Sequence, residues 1–141
     1  MGILSAIHRV FDGKKTAVRL DDPPAPGLAR EAVRSLSAQL RESLSIEVRS
    51  AVDVYLEAVV QQDALGAGCR ILEAALGPPA KPFGAKASFE AELQERVDSR
   101  GGIHKNQALY LRRYEDGRVA FAALWPWSDG RRVTLKLGIY D

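Results

Sequence analysis

An apolar stripe with helical spacing runs through residues 28–62. Each step along it is three or four residues, which puts its members on one face of an α-helix. They are Ala29, Val33, Leu36, Leu40, Leu44, Val48, Val52, Tyr55 and Val59. From Ile46 to Val60 the apolar residues are so dense that only a narrow polar strip is left, so this half is predicted to be the central buried helix.

A single helix over residues 28–62 would be long for a chain of 141 residues. At about 1.5 Å per residue it would span roughly 50 Å. A compact domain of this size is only about 40 Å across. The helix is therefore expected either to bend or break near residues 43–45, or to extend outward and pack against a second copy of the chain.

Two proline clusters, at residues 21–27 and 77–84, interrupt the periodic pattern. Proline at this density does not continue a helix or a central strand, so both segments are predicted to be connectors. They divide one predicted domain into residues 1–27, 28–77, 78–85 and 86–141.

Shorter elements are predicted on either side of these connectors. The first segment is expected to hold an N-terminal helix over residues 3–11 and a candidate edge strand at 16–20. A helix over residues 65–76 should stop at Gly77, and another over residues 89–100 should begin after Ser88 as its N-cap.

Two Asp-Gly pairs, Asp116-Gly117 and Asp129-Gly130, separate three runs of β-forming residues. Such a pair is the strongest short-range signal of a two-residue hairpin turn. Residues 107–115, 118–127 and 131–139 are therefore predicted to form an antiparallel meander. Two-residue turns place Leu109 opposite Leu124, Leu111 opposite Ala122, Leu124 opposite Leu135 and Ala122 opposite Leu137.

This register gives the meander one aliphatic face, which is expected to pack on the helices. Its members are Leu109, Leu111, Ala120, Ala122, Leu124, Val133, Leu135, Leu137 and Ile139. The sequence thus predicts an α+β fold, with helices packed on one face of a small antiparallel sheet that has a C-terminal three-stranded meander.

The opposite face of the predicted meander combines aromatic and cationic side chains. Its candidate binding residues are Tyr110, Arg112, Tyr114, Phe121, Trp125, Trp127, Arg132 and Lys136. The whole chain has a net charge of only +2, but residues 96–136 hold nine basic and four acidic side chains. Positive charge is therefore concentrated where most of the aromatic residues lie.

Such a face is expected to be covered, either by another part of the chain or by a partner. The leading hypothesis is a non-enzymatic protein-interaction module, which forms a homodimer through this face or through the long helix, or binds another protein. The alternative is a binding protein for single-stranded nucleic acid or for a small anionic ligand in a pocket lined by the aromatic residues. Basic residues are sparse for nucleic acid, and no RNP-type sequence is present.

An enzyme is only the third hypothesis, because no catalytic or cofactor motif is found. The chain lacks G-x-S-x-G, H-E-x-x-H and phosphate-loop sequences. His104 in a glycine-containing loop and Cys69 on an apolar helix stripe are the candidate reactive groups. Asp53 and Glu57, four residues apart, have a spacing that suits a shared metal on a helix, but neither a metal nor a cofactor is expected in a chain with two histidines.

Cysteine usage and hydropathy bear on the cellular location. The single cysteine cannot form an intrachain disulfide, which favours a reducing, cytoplasmic setting. The longest apolar run, Val119 to Trp125, is seven residues, so no transmembrane helix is expected. The first residues are not expected to act as a signal peptide.

Overall fold

The computed structural model describes residues 8–11, 15–20 and 23–140. Three helices and eight strands occur in these residues, in an order that begins with two strands and ends with three. They are β1 (His8–Phe11), β2 (Lys15–Arg19), α1 (Ala29–Ser43), β3 (Ile46–Val52), β4 (Tyr55–Gln61), α2 (Leu65–Leu76), β5 (Lys86–Phe89), α3 (Ala91–Ser99), β6 (Ala108–Arg113), β7 (Val119–Pro126) and β8 (Arg132–Tyr140).

The main sheet has five antiparallel strands in the order β3-β4-β8-β7-β6. Helices α1 and α2 pack on one of its faces, and β6, β7 and β8 form the C-terminal meander. The predicted α+β fold is confirmed. Among the described residues, no helix has the length and apolar character needed to cross a bilayer.

A second, smaller sheet has the order β1-β2-β5. The strand expected at residues 16–20 is present as β2, but it lies in this sheet and not at an edge of the main one. Residues 8–11 form β1, so the helix expected over residues 3–11 is wrong for this part, and residues 1–7 lie outside the described range.

The predicted central helix from Ile46 to Val60 is wrong. Helix α1 ends at Ser43, and the chain then forms the hairpin β3–β4 around a two-residue turn in which Asp53 has a φ of 48°. Valine and isoleucine are dense here, and their branched Cβ atoms favour a strand over a helix. Leu56, Ala58 and Val60 alternate into the core with a period of two, which the helical interpretation overlooked.

The other helices follow the sequence more closely. In α1 the stripe from Ala29 to Leu40 is buried as predicted. Helix α2 has the predicted limits and ends at Leu76, where it is followed by Gly77 with a φ of 85°. Helix α3 begins two residues later than predicted because Phe89 belongs to β5, and Ser88 is therefore not its N-cap.

The register between β7 and β8 is confirmed, because Leu124 lies opposite Leu135 and Ala122 opposite Leu137. The register between β6 and β7 differs from the prediction by one residue: Leu109 lies opposite Ala123, and Leu111 opposite Phe121.

A three-residue loop causes this shift. Tyr114 donates its N–H to the carbonyl of Arg118 at 2.9 Å, so residues 115–117 form the loop between paired positions. Gly117 has a φ of 83°. A three-residue hairpin with a left-handed glycine carries one extra residue compared with the two-residue turn that was predicted. A one-residue slip exchanges the two faces of a strand, so Leu109 and Leu111 leave the helix-facing side.

Each face of the main sheet has its own hydrophobic cluster. The first lies under α1 and α2 and includes Tyr110, Leu124 and Leu135. The second lies on the opposite face, where Leu93 and Val97 of α3 pack with residues of β6, β7 and β8. In it the rings of Phe121 and Tyr140 stack with their centroids 4.3 Å apart. Helix α3 therefore covers part of this sheet face, and coverage by the chain itself is one of the alternatives that the sequence left open.

The two connectors cover the β6 edge of the main sheet. Ala25 in the first donates its N–H to Arg113 at 2.8 Å and accepts from the N–H of Glu115. Lys81 in the second exchanges two backbone hydrogen bonds with Leu109. Strand β6 thus has backbone partners on both sides along part of its length.

Candidate functional site

The structure does not keep the eight candidate binding residues on one face. Tyr110, Arg112 and Tyr114 lie on the helix-facing side, because of the extra loop residue between β6 and β7. Tyr110 is 2% exposed and lies in the first cluster. Phe121 is on the opposite face, but it is 1% exposed and belongs to the cluster that includes α3. These four residues do not form a common surface.

The other four candidates, Trp125, Trp127, Arg132 and Lys136, do lie together on the part of the opposite face that α3 leaves open. Arg49 of β3 and Arg100, which follows α3, extend this group. We call these six residues the tryptophan–cation surface. The sequence did not indicate Arg49, because that residue was predicted to lie in a helix. It did not indicate Arg100 either, because the spacing of apolar residues in a helix does not show which strand lies near the end of that helix.

Trp127 is held by a hydrogen bond and covered by arginines. Its indole N–H donates to the Oγ1 of Thr134 at 2.8 Å. The guanidinium carbon of Arg132 lies 4.2 Å from the ring centroid, and that of Arg49 lies 6.0 Å away. Both distances fall within the range of cation–π attraction, which fixes the ring and the cations relative to each other.

Arg132 is also held by Asp129 in the turn before β8. Its Nε lies 2.8 Å from Oδ2 of Asp129. The N–H of Arg131 and the guanidinium of Arg132 favour the charged carboxylate and lower the pKa of Asp129. The turn therefore orients Arg132 and partly neutralises it.

Trp125 lies between Lys136 and the loop that follows α3. The Nζ of Lys136 is 3.6 Å from the centroid of its ring. A Cβ atom at Gly101 would stand 2.9 Å from Cη2 of Trp125, so only glycine allows the backbone to come this close to the indole. Within the described part of the chain, the buried indole N–H of Trp125 has no hydrogen-bond acceptor.

Tyr55 of β4 continues the surface away from the tryptophans. The guanidinium carbon of Arg100 lies 5.8 Å from its ring centroid, and its hydroxyl donates to Oε1 of Glu57 at 3.0 Å. Burial, and then the hydrogen bond to Glu57, raise the pKa of Tyr55 to about 12. Tyr55 therefore stays neutral at physiological pH and acts as a donor.

The charges of the surface are positive in excess but partly paired. Arg49 lies 2.8 Å from a carboxylate oxygen of Glu47, Arg132 is paired with Asp129, and Lys136 lies opposite Glu57 in the sheet register. The surface thus combines aromatic rings with oriented cations and lacks a dense row of free positive charge.

The candidate reactive groups are not arranged for catalysis among the described residues. Cys69 is half-buried on α2 and packs against the first cluster, whereas His104 is exposed in the loop before β6. No described hydrogen bond joins them. The backbone N–H of His104 donates to the side chain of Gln107 in the same loop.

The expected pairing of Asp53 and Glu57 on a helix is wrong. Asp53 lies in the β3–β4 turn, 2.8 Å from Arg34 and 3.6 Å from Arg30, and Glu57 lies in β4. The bond to Arg34 is the main cause of a lowered pKa at Asp53. In the residues described, no group of three or more histidine, cysteine, aspartate or glutamate side chains could hold a metal.

A groove near α1 gives the small-ligand hypothesis a different location. It has a volume of about 270 Å³ and is lined by residues of α1 and of the β3–β4 hairpin, among them Arg34, Arg41 and Tyr55. None of the eight candidate binding residues lines it. Arg34 is already bound to Asp53, which reduces its value as an anchor for an anion.

A buried lysine was not foreseen from the sequence. Lys81 is 1% exposed, and its ammonium group donates to the carbonyls of Pro82, Lys105 and Gln107. Burial lowers the pKa of Lys81 to about 8. The contact ties the second connector to the loop before β6. A lysine between alanine and proline gives no sequence signal of this role.

Comparison with known proteins adds no functional information. No family model matches the chain, and no curated protein or solved structure matches it. Inference about function therefore depends on the chemistry of the tryptophan–cation surface.

Proposed function

We propose that this chain is a non-enzymatic interaction module whose tryptophan–cation surface binds an acidic segment of another protein. One observation carries the proposal: both tryptophans of the chain lie half-buried at the end of β7, and each has a cation from β8 over its ring. Tryptophan and arginine dominate the binding energy of protein interfaces, particularly where a rigid element presents them.

The side chains of this surface are already ordered before a partner arrives. Thr134 fixes Trp127, Asp129 fixes Arg132, and Gly101 confines Trp125. Ordering a flexible side chain on binding costs roughly 0.5–1.5 kcal/mol. A preorganised surface avoids much of this cost, which supports a role in recognition.

Charge favours an acidic partner over a second copy bound face to face. Two copies of the surface would bring Arg100 and Lys136 of each chain against cations of the other, which is unfavourable. An acidic segment would instead meet cations whose ring contacts hold them in place. The homodimer predicted through a long helix has lost its basis, because residues 46–60 form a hairpin.

Single-stranded nucleic acid is the second candidate, favoured by aromatic rings beside cations on a sheet. Against it, the carboxylates of Glu47 and Asp129 already pair with Arg49 and Arg132. Nucleic acid carries a charge at every nucleotide and needs a row of free cations, whereas a peptide with spaced carboxylates needs only a few. A cytoplasmic location is part of the proposal and is supported by a single cysteine in the chain.

Intrinsic fluorescence provides the test, because both tryptophans of the chain report on this surface alone. The protein would be titrated with short synthetic peptides in which glutamate alternates with leucine or tyrosine, and separately with an oligothymidine. We expect the acidic peptides to change the emission, and Lys136→Gln to weaken the response. Arg118→Gln, an exposed arginine in the β6–β7 loop, is the matched control and should leave it unchanged.

The outcomes separate the two candidates. A response to acidic peptides that falls with added salt and with Lys136→Gln supports the proposal. A response to oligothymidine but not to peptides would replace it with nucleic-acid binding, for which affinity should fall steeply as salt rises. Absence of any response at low salt would refute the proposal and its alternative together.

A further inference from the structure

The two edges of the main sheet differ in how they are protected. The β6 edge is covered by backbone hydrogen bonds from Ala25 and Lys81. At the other edge, β3 pairs with β4 on one side, and no other described strand lies beside it. Most of β3 is exposed, including Val48 at 39% and Val52 at 67%. An open edge of seven residues can accept another strand.

We propose that two copies of this chain associate through β3, antiparallel and centred on Val48, to form one ten-stranded sheet. This dimer uses the β3 edge, shares only Arg49 with the tryptophan–cation surface, and goes beyond the function proposed above. The partner is argued from the charge pattern of β3, which is complementary to itself in this arrangement.

Glu47 and Arg49 flank the centre of the strand. Their side chains are paired within one chain at 2.8 Å. A two-fold axis at Val48 places Glu47 opposite the partner's Arg49, and Arg49 opposite the partner's Glu47. The four side chains then alternate in sign, so every neighbouring contact is attractive, and opposite charges directly across a pair of strands are stabilising.

The same pattern selects the register. Centring the pair on Glu47 would bring the two glutamates together, and centring it on Arg49 would bring the two arginines together. Like charges directly opposite each other are destabilising. Of these three arrangements, only the one about Val48 avoids like charges opposite each other, and it also places the exposed Val48 against its own copy, which buries apolar surface.

A bulge limits the strength of this association. The pairing of β3 with β4 shifts between Val48 and Ser50, and a bulge interrupts the regular row of outward backbone groups. We therefore expect a dimer that dissociates on dilution. In this dimer, Glu47 of one copy and Arg49 of the other point to the same face of the joined sheet, because residues directly opposite each other share a face. Arg49 is part of the tryptophan–cation surface, so the two surfaces lie on the same side of the dimer.

Charge reversal tests the arrangement at exposed positions, where folding is little affected. The mass of the full chain would be measured by light scattering and sedimentation between about 1 and 200 µM. We expect a concentration-dependent dimer. Glu47→Arg should weaken it about tenfold or more, because attraction becomes repulsion at both symmetric contacts. The double variant Glu47→Arg with Arg49→Glu should restore it.

A control variant and the possible contradicting results complete the test. Glu31→Arg, at an exposed site on α1, is the matched control and should leave the dimer unchanged. A monomer at every concentration would overturn the proposal, as would a dimer that Glu47→Arg does not weaken or that the double variant does not restore. Circular dichroism of each variant verifies that folding is intact.

Discussion

Lys81 is expected to make the stability of the protein depend on pH in the mildly alkaline range. Its ammonium group is buried, and burial lowers its pKa from 10.5 to about 8. Between these values an unfolded chain keeps the proton on Lys81 whereas the folded chain has released it. Because the unfolded state binds more protons in this window, the free energy of unfolding increases as pH is raised from about 8 and decreases as pH is lowered toward 8.

The size of the effect follows from the two pKa values. Each pH unit between them adds about 1.4 kcal/mol to the free energy of unfolding. Tyrosines act in the opposite direction above pH 10, since burial raises the pKa of residues such as Tyr55 and Tyr140 in the folded state. Measurement is therefore confined to the range from about 8 to 9.5, where Lys81 should contribute about 2 kcal/mol.

Urea denaturation at several pH values, followed by tryptophan fluorescence, measures this contribution. The wild type is compared with Lys81→Met, which retains an unbranched side chain of similar length without the charge. Their difference in unfolding free energy should shift by about 2 kcal/mol in favour of the wild type as pH rises from about 8 to 9.5. Lys105→Met, at an exposed site, is the control. A difference that does not vary with pH would refute the reasoning, and would mean that the three carbonyls offset the effect of burial.

Two substitutions test the packing on either face of the sheet. Leu124→Ala in the first cluster should lower the free energy of unfolding by about 2–5 kcal/mol in urea denaturation, and a loss below about 1 kcal/mol would contradict its core position. Gly101→Ala should cost at least twice as much as Gly84→Ala, for which about 1 kcal/mol is expected. Both glycines have positive φ, but only the Cβ at residue 101 would collide with Trp125. Equal losses would contradict the close approach.

The sequence predicts an element well where its pattern fits only one type of secondary structure. Helix α2 was located to the residue because leucine spacing and Gly77 mark both its face and its end. The hairpin β3–β4 was missed because Val48, Val52 and Val59 fit a helical spacing as well as a strand. Two features distinguish a strand from a helix here: the β-branched composition and the alternation from Leu56 to Val60. The prediction used only the helical spacing and ignored both features.

Four of the eight candidate binding residues lie together in the structure, and one extra residue in the β6–β7 loop explains why three of the others do not. The Asp-Gly pair at Asp116 marks the hairpin correctly, but the loop is one residue longer than the shortest form. Because of this extra residue, Tyr110 and Tyr114 lie in the core on the helix-facing side of the sheet. The turn at Asp129 preserved the predicted register, so Trp125, Trp127, Arg132 and Lys136 stayed together. A two-residue pattern does not encode loop length.

The position of β8 has a consequence for how the fold is completed. Although β8 is the last strand in sequence, it lies between β4 and β7 in the middle of the sheet, and its Leu137 pairs with Leu56. During synthesis the hairpins β3–β4 and β6–β7 can form separately, but they have no common sheet until residues 132–140 have left the ribosome. Such long-range pairing slows folding and leaves strand edges unpaired in the meantime. The nascent chain is therefore most open to aggregation while β6–β7 has formed and β8 has not yet emerged.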